Sequence, residues 1–97
     1  MVTEFAEIEV KRGSEGQFAH EVEKCKHLFD AAEGCHGFEL HQSIEHPEHF
    51  VLLVQWASVP DHMEKFQKSE AFKVWRNAVG PSFAAPPKVW HSQTVLK

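Results

Sequence analysis

Three side chains, Trp56, His62 and Arg76, are of the types needed to move a proton and hold a negative charge beside an aromatic surface. His62 follows Pro60 and Asp61 in the first turns of an expected helix. There the helix dipole lowers an imidazole's pKa and favours the neutral ring that can accept a proton. Arg76 lies on the next helix and stays cationic at any ordinary pH. Each also has a plainer reading: His62 as an exposed helix histidine, Arg76 as a solvated residue paired with a glutamate, Trp56 as core packing. His41 and His91 fall at alternating strand positions from which they could point into one pocket. Glu4 shares the apolar face of the first strand with Val2 and Ala6, where a carboxylate is costly unless partnered.

Other chemistries find less support. The eight histidines include His36, His41, His46 and His49, but these straddle a hairpin turn without helical His-Glu-x-x-His spacing, so no metal site is expected. Cys25 falls on the apolar stripe of a helix and Cys35 near a strand start. Both are read as reduced thiols. The chain has no glycine-rich phosphate loop, nucleophile elbow or Cys-His-Asp series.

The elements that must position these residues follow from periodicity. VTEFAEIEV alternates as a strand, with Val2, Ala6, Ile8 and Val10 on one face. Ser14, with Gln17 as capping-box partner, starts a helix whose stripe is Phe18, Val22, Cys25, Phe29 and Ala32. HGFELHQSI alternates again, with Phe38, Leu40 and Ile44 on one side. Phe50–Trp56 is apolar at nearly every position. Ser58 caps a short helix with Met63 and Phe66 turned inward, and Ser69 starts another carrying Phe72, Trp75 and Val79 up to Gly80-Pro81. KVWHSQTVL is a last strand. The order βαβ-βαβ predicts an α+β, ferredoxin-like domain over 1–97: a four-stranded antiparallel sheet with both helical segments on one face.

That architecture leaves Val51 and Leu53 uncovered on the other face. An apolar patch of this kind marks an interface, and a second copy of the chain is its economical cover. The 97 residues suit one modest core, and 42% hydrophobic with 25% charged residues is ordinary for a globular protein. A net charge of -4 with scattered basic residues argues against nucleic acid and anionic membranes. The acidic start lacks the form of a signal peptide, and no apolar run approaches a membrane span, so a cytoplasmic protein is expected.

The element order, together with WASVPDHMEKFQKSEAFKVW after the third strand, resembles the antibiotic biosynthesis monooxygenase family. Trp56, Ser58, His62, Ser69, Phe72 and Trp75 fall in the family's pattern there, and RGS, GF and PP fit it elsewhere. The resemblance implies sheets of two copies packed into a dimeric α+β barrel. In the family's haem-degrading branch an Asn, a Trp and an axial His are used; here those positions are Ala6, Phe66 and Arg76, and arginine cannot ligate iron, so haem degradation is not expected. The anthrone-oxidising branch has a Trp and an Arg that match Trp56 and Arg76, but its Asn and Tyr are Leu52 and His62 here, which leaves the substrate class open. The resemblance therefore implies cofactor-independent oxidation by O2 of a small aromatic, quinol or polyketide-like substrate. In that reading Arg76 is the oxyanion partner and His62 the base, with Trp56, Phe66, Trp75 and His91 around the substrate. A non-catalytic binding module and an isomerase on the same scaffold are the alternatives.

Overall fold

A computed structural model describes residues 1–97. Its elements are β1 (Val2–Glu9), α1 (Glu15–Asp30), β2 (Cys35–Gln42), β3 (His49–Trp56), a π-helical segment (Asp61–Phe66), α2 (Glu70–Val79), a 3-10 turn (Gly80–Ser82) and β4 (Lys88–Ser92). The strands pair antiparallel in the order β2-β3-β1-β4, the ferredoxin-like arrangement that the element order predicts. No helix is long and apolar enough to cross a membrane.

Register explains the core. One row across the sheet is His91, Glu4, Val54 and Phe38, and the next on the same face is Val89, Ala6, Leu52 and Leu40. The apolar stripe of α1, Phe18, Val22, Cys25 and Phe29, packs with Trp75 and Val79 of α2 against Ala6, Ile8, Phe50, Leu52, Val54 and Trp56. Phe29 is the hub: its ring lies 4.6 Å from Phe38, 4.8 Å from Phe66 and 4.9 Å from Trp75. Burying a ring of this kind stabilises by about 1.5–3 kcal/mol, so these contacts fix how the helices sit on the sheet.

Several local expectations are corrected. Ser14 makes no side-chain cap; Gln17 bonds Glu21 instead, and the Glu15 carboxylate accepts from the Gly13 N–H. Ile44 lies beyond the end of β2 and is 91% exposed, because the chain is already turning towards Pro47. β4 ends at Ser92, since β1 offers it partners only from Thr3 to Glu7, and Val95 and Leu96 are exposed. Met63 points outward, while Asp61, His62 and Phe66 are the buried residues of their segment. Ser69 caps α2 as expected, its hydroxyl accepting from the Phe72 N–H at 3.2 Å.

The π-helical segment is anchored from outside. Gly34, at φ +81°, approaches so closely that a Cβ there would lie 2.5 Å from Asp61 Cγ. Only glycine combines that conformation with that space. Asp61 accepts from the Ser58 hydroxyl at 2.9 Å and pairs with Lys65 at 3.1 Å, and Lys65 also bonds Glu33. These Lys65 and Ser58 contacts hold the Asp61 carboxyl below its usual range.

Candidate active site

His62 owes its place to the π-helical turn. The Gln67 N–H donates to the His62 carbonyl at 2.9 Å, an i to i+5 bond that widens the helix. Widening rotates His62 onto the inner face and Met63 off it. The imidazole is only 2% exposed and stacks on the Trp56 indole, with ring centroids 5.2 Å apart and planes 13° apart.

Beneath it stands Glu4, 4% exposed. Its Oε1 accepts from Trp56 Nε1–H at 2.9 Å and lies 3.3 Å from His62 Nε2. On its other side His62 Nδ1 meets His91 Nε2 at 2.8 Å. His62 Nδ1 is thus hydrogen-bonded, while Nε2 faces the carboxyl at ion-pair distance without hydrogen-bond alignment. His91 can reach it because β4 places His91 directly opposite Glu4 in register, on the same face.

Burial sets the protonation states. It pushes the Glu4 carboxyl up to about 7, against the opposing effect of the Trp56 hydrogen bond. It takes His62 down to about 4, with nearby His91 acting in the same direction. Near neutral pH His62 is thus an uncharged ring, and Glu4 is divided between acid and carboxylate. A carboxyl poised at the working pH is suited to general acid–base catalysis.

Glu4 and His62 open onto a cavity of about 260 Å³ between the sheet and α2. Ala6, Leu52, Phe72, Trp75, Val79 and Phe83 give it apolar walls, and Arg76 lines it as well. Arg76 has no carboxylate within ion-pair distance; its guanidinium lies 5.9 Å from the Phe72 ring centroid. The cavity therefore combines one cation, one poised carboxyl and one neutral imidazole in mostly apolar surroundings. Such a site can take a proton from a bound molecule and stabilise the negative charge left on it.

The residues expected from sequence divide accordingly. His62, Arg76 and Trp75 line this cavity, as do Leu52 and His62, the positions where the resemblance expected an Asn and a Tyr. Trp56 is fully buried behind it and acts as the hydrogen-bond donor to Glu4, so it is not a wall. Phe66 lines a different cavity, of about 450 Å³, with Leu28 and Ala32. His91 joins through His62. His41 lies on the opposite face, exposed beside Glu39, and does not share a pocket with His91. Glu4 was missing from the expected set. Its signal was present, a carboxylate at an inward position of an alternating strand, but only the structure reveals its partners. No group of three or more His, Cys, Asp or Glu side chains is arranged to hold a metal ion.

Comparison with known proteins agrees with this architecture. The family model described as antibiotic biosynthesis monooxygenase matches residues 1–78. The YczJ protein of Bacillus subtilis is 27% identical over 95 residues, covering 98% of this chain and 100% of that one. A solved structure from Bordetella bronchiseptica, named for the same family, is 45% identical, with a TM-score of 0.96 over 98% of this chain and 97% of its own. Another from Nitrosomonas europaea, at 20% identity, shares the fold with a TM-score of 0.85 over 99% of this chain and 100% of its own. In its element order, its sheet and its match to the family model, the chain belongs to the antibiotic biosynthesis monooxygenase family.

Proposed function

We propose that the chain is a cofactor-independent monooxygenase acting with O2 on a small aromatic, quinol or polyketide-like substrate bound between the sheet and α2. The observation that carries this reading is the shared cavity, in which Arg76 and the Glu4–His62 pair meet among apolar side chains. For a substrate with an activated methylene, Glu4 takes the proton as the C–H bond breaks, and its electron pair stays behind as an enolate. Arg76 offsets the negative charge on that oxygen, and the electron-rich carbon is then able to reduce O2. The overall balance is R2CH2 + O2 → R2CO + H2O, so the substrate supplies all four electrons. Trp75, Phe72 and Leu52 exclude water, which strengthens the Arg76 interaction.

Oxygen uptake by metal-stripped protein with a panel of anthrones and hydroquinones tests this. The expected result is protein-dependent uptake that falls ~100-fold in Arg76→Ala, the scale of losing one oxyanion partner. Uptake insensitive to Arg76, or none across the panel, counts against it. The Glu4–His62 acid–base pair also favours a second reading, an isomerase, which would turn over under nitrogen. Binding without turnover in either atmosphere would indicate a carrier or sensor.

The uncovered sheet face suits a second copy of the chain. Phe5 and Trp90 stack there at 4.4 Å, beside half-buried Val51 and Leu53. A homodimer is the expected form, and a monomer by light scattering at low micromolar concentration would overturn it.

A further inference from the structure

Glu4, His62 and His91 stand in line from the cavity to the partly exposed edge strand β4. A neutral imidazole carries one N–H, so the two contacts of His62 cannot be set independently. When Glu4 is ionised, His62 Nε2–H donates to it, and His62 Nδ1 must accept from His91 Nε2–H. When Glu4 donates its proton to His62 Nε2, His62 carries its hydrogen on Nδ1 and donates to His91 Nε2, which leaves the hydrogen of His91 on Nδ1. The two arrangements differ by one proton.

We propose that Glu4, His62 and His91 form a proton relay that carries the proton taken from the substrate out of the cavity to solvent beside β4. In the discharging step the O–H bond of Glu4 breaks and its proton passes to His62 Nε2. The Nδ1 proton of His62 passes to His91 Nε2, and the Nδ1 proton of His91 leaves to water. No charge rests on His62 at either end of the step, which suits a ring that burial keeps from becoming a cation. Trp56 N–H donates to Glu4 in both arrangements and holds the carboxyl in place. The other ionisable groups near the line are Arg76 of α2, across the cavity, and Cys35 of β2, whose thiol feels the Glu4 charge.

The catalytic use of the relay rests on the function proposed above, but its existence is testable without substrate. Two-bond proton–nitrogen NMR correlation on uniformly 15N-labelled protein reports the tautomer of each ring. At pH values where His91 is uncharged, His62 and His91 are expected to switch together from Nδ1–H to Nε2–H as Glu4 ionises. Glu4→Gln should fix both tautomers at the same pH values. His91→Phe, at a partly exposed position, removes the partner that His62 Nδ1 uses in both arrangements, so exchange of the His62 ring proton with solvent should slow. Rings that switch independently, or a switch that survives Glu4→Gln, would overturn the relay. Unchanged ring-proton exchange in His91→Phe would do the same. None of these outcomes depends on whether oxygen uptake is found.

Discussion

Strand β1 carries the same hydrogen bond twice, once on each face. Trp56 Nε1–H donates to Glu4 at 2.9 Å under the helices, and Trp90 Nε1–H donates to Glu7 at 3.0 Å on the open face. Donor, acceptor and distance are nearly identical, but Glu4 and Trp56 are buried while Glu7 and Trp90 face water. What separates them is solvent. Without it, ionising Glu4 becomes costly, His62 is kept neutral, and a Trp–Glu contact becomes part of a site with acid–base chemistry. With it, the Glu7–Trp90 pair remains a surface contact beside the Phe5 ring.

The comparison breaks most sharply in catalysis. Glu4→Gln keeps an acceptor for Trp56 but cannot take a proton, so oxygen uptake should fall by about 10²–10⁴-fold, the usual range for losing a general base. Glu7→Gln should leave the rate within about twofold. Equal losses in the two variants would show that burial does not distinguish the carboxyls.

Next in size is the dependence of stability on pH. Folded Glu4 binds its proton more tightly (about 7) than its ordinary value of 4.5, so its contribution is full below pH 4.5 and is lost as pH rises through 7. His62, at about 4 against an ordinary 6.5, behaves oppositely: its contribution is full above 6.5 and is lost as pH falls through 4. Between 4.5 and 6.5 the two slopes, each about 1.4 kcal/mol per pH unit, oppose one another. Urea unfolding should therefore give a nearly flat profile for the wild type in that window. Stability should rise with pH in Glu4→Gln and fall with pH in His62→Gln.

Smaller effects sharpen the contrast. Trp56→Phe keeps the ring packing but removes the donor to Glu4, and should cost about 1–2 kcal/mol by chemical denaturation. Trp90→Phe, which removes the matching donor from an exposed position of the single chain, should cost less than that.

Much of this frame was legible in the sequence, because strand alternation and the Ser69–Phe72–Trp75 spacing report burial directly. The site was legible in part. His62 and Arg76 stood out by chemical type, and both line the cavity. Helical periodicity of 3.6 turned Met63 inward, whereas one i to i+5 turn moves that role to His62, and a single widened turn leaves no signal in hydrophobic spacing. Glu4 looked like an inward carboxylate near a strand end. Its partners lie 52 residues away at Trp56 and further still at His62 and His91, and such distances are fixed by sheet register, not by local pattern.

The close approach of Gly34 to Asp61 makes the widened turn depend on an edge strand. The Ala57 N–H donates to the Gly34 carbonyl at 2.7 Å, so the entrance to β2 grips both the start of this segment and its first buried side chain. Edge elements open at lower free energy than the centre of a sheet. Mild heating or denaturant should therefore release β2 before the central strands and let His62 drift from Glu4 while β1, β3 and α1 remain folded. Activity would then fade at a lower temperature than the one at which the fold melts, and the gap between the two would measure how firmly a glycine 28 positions earlier in the chain holds the imidazole over the carboxyl.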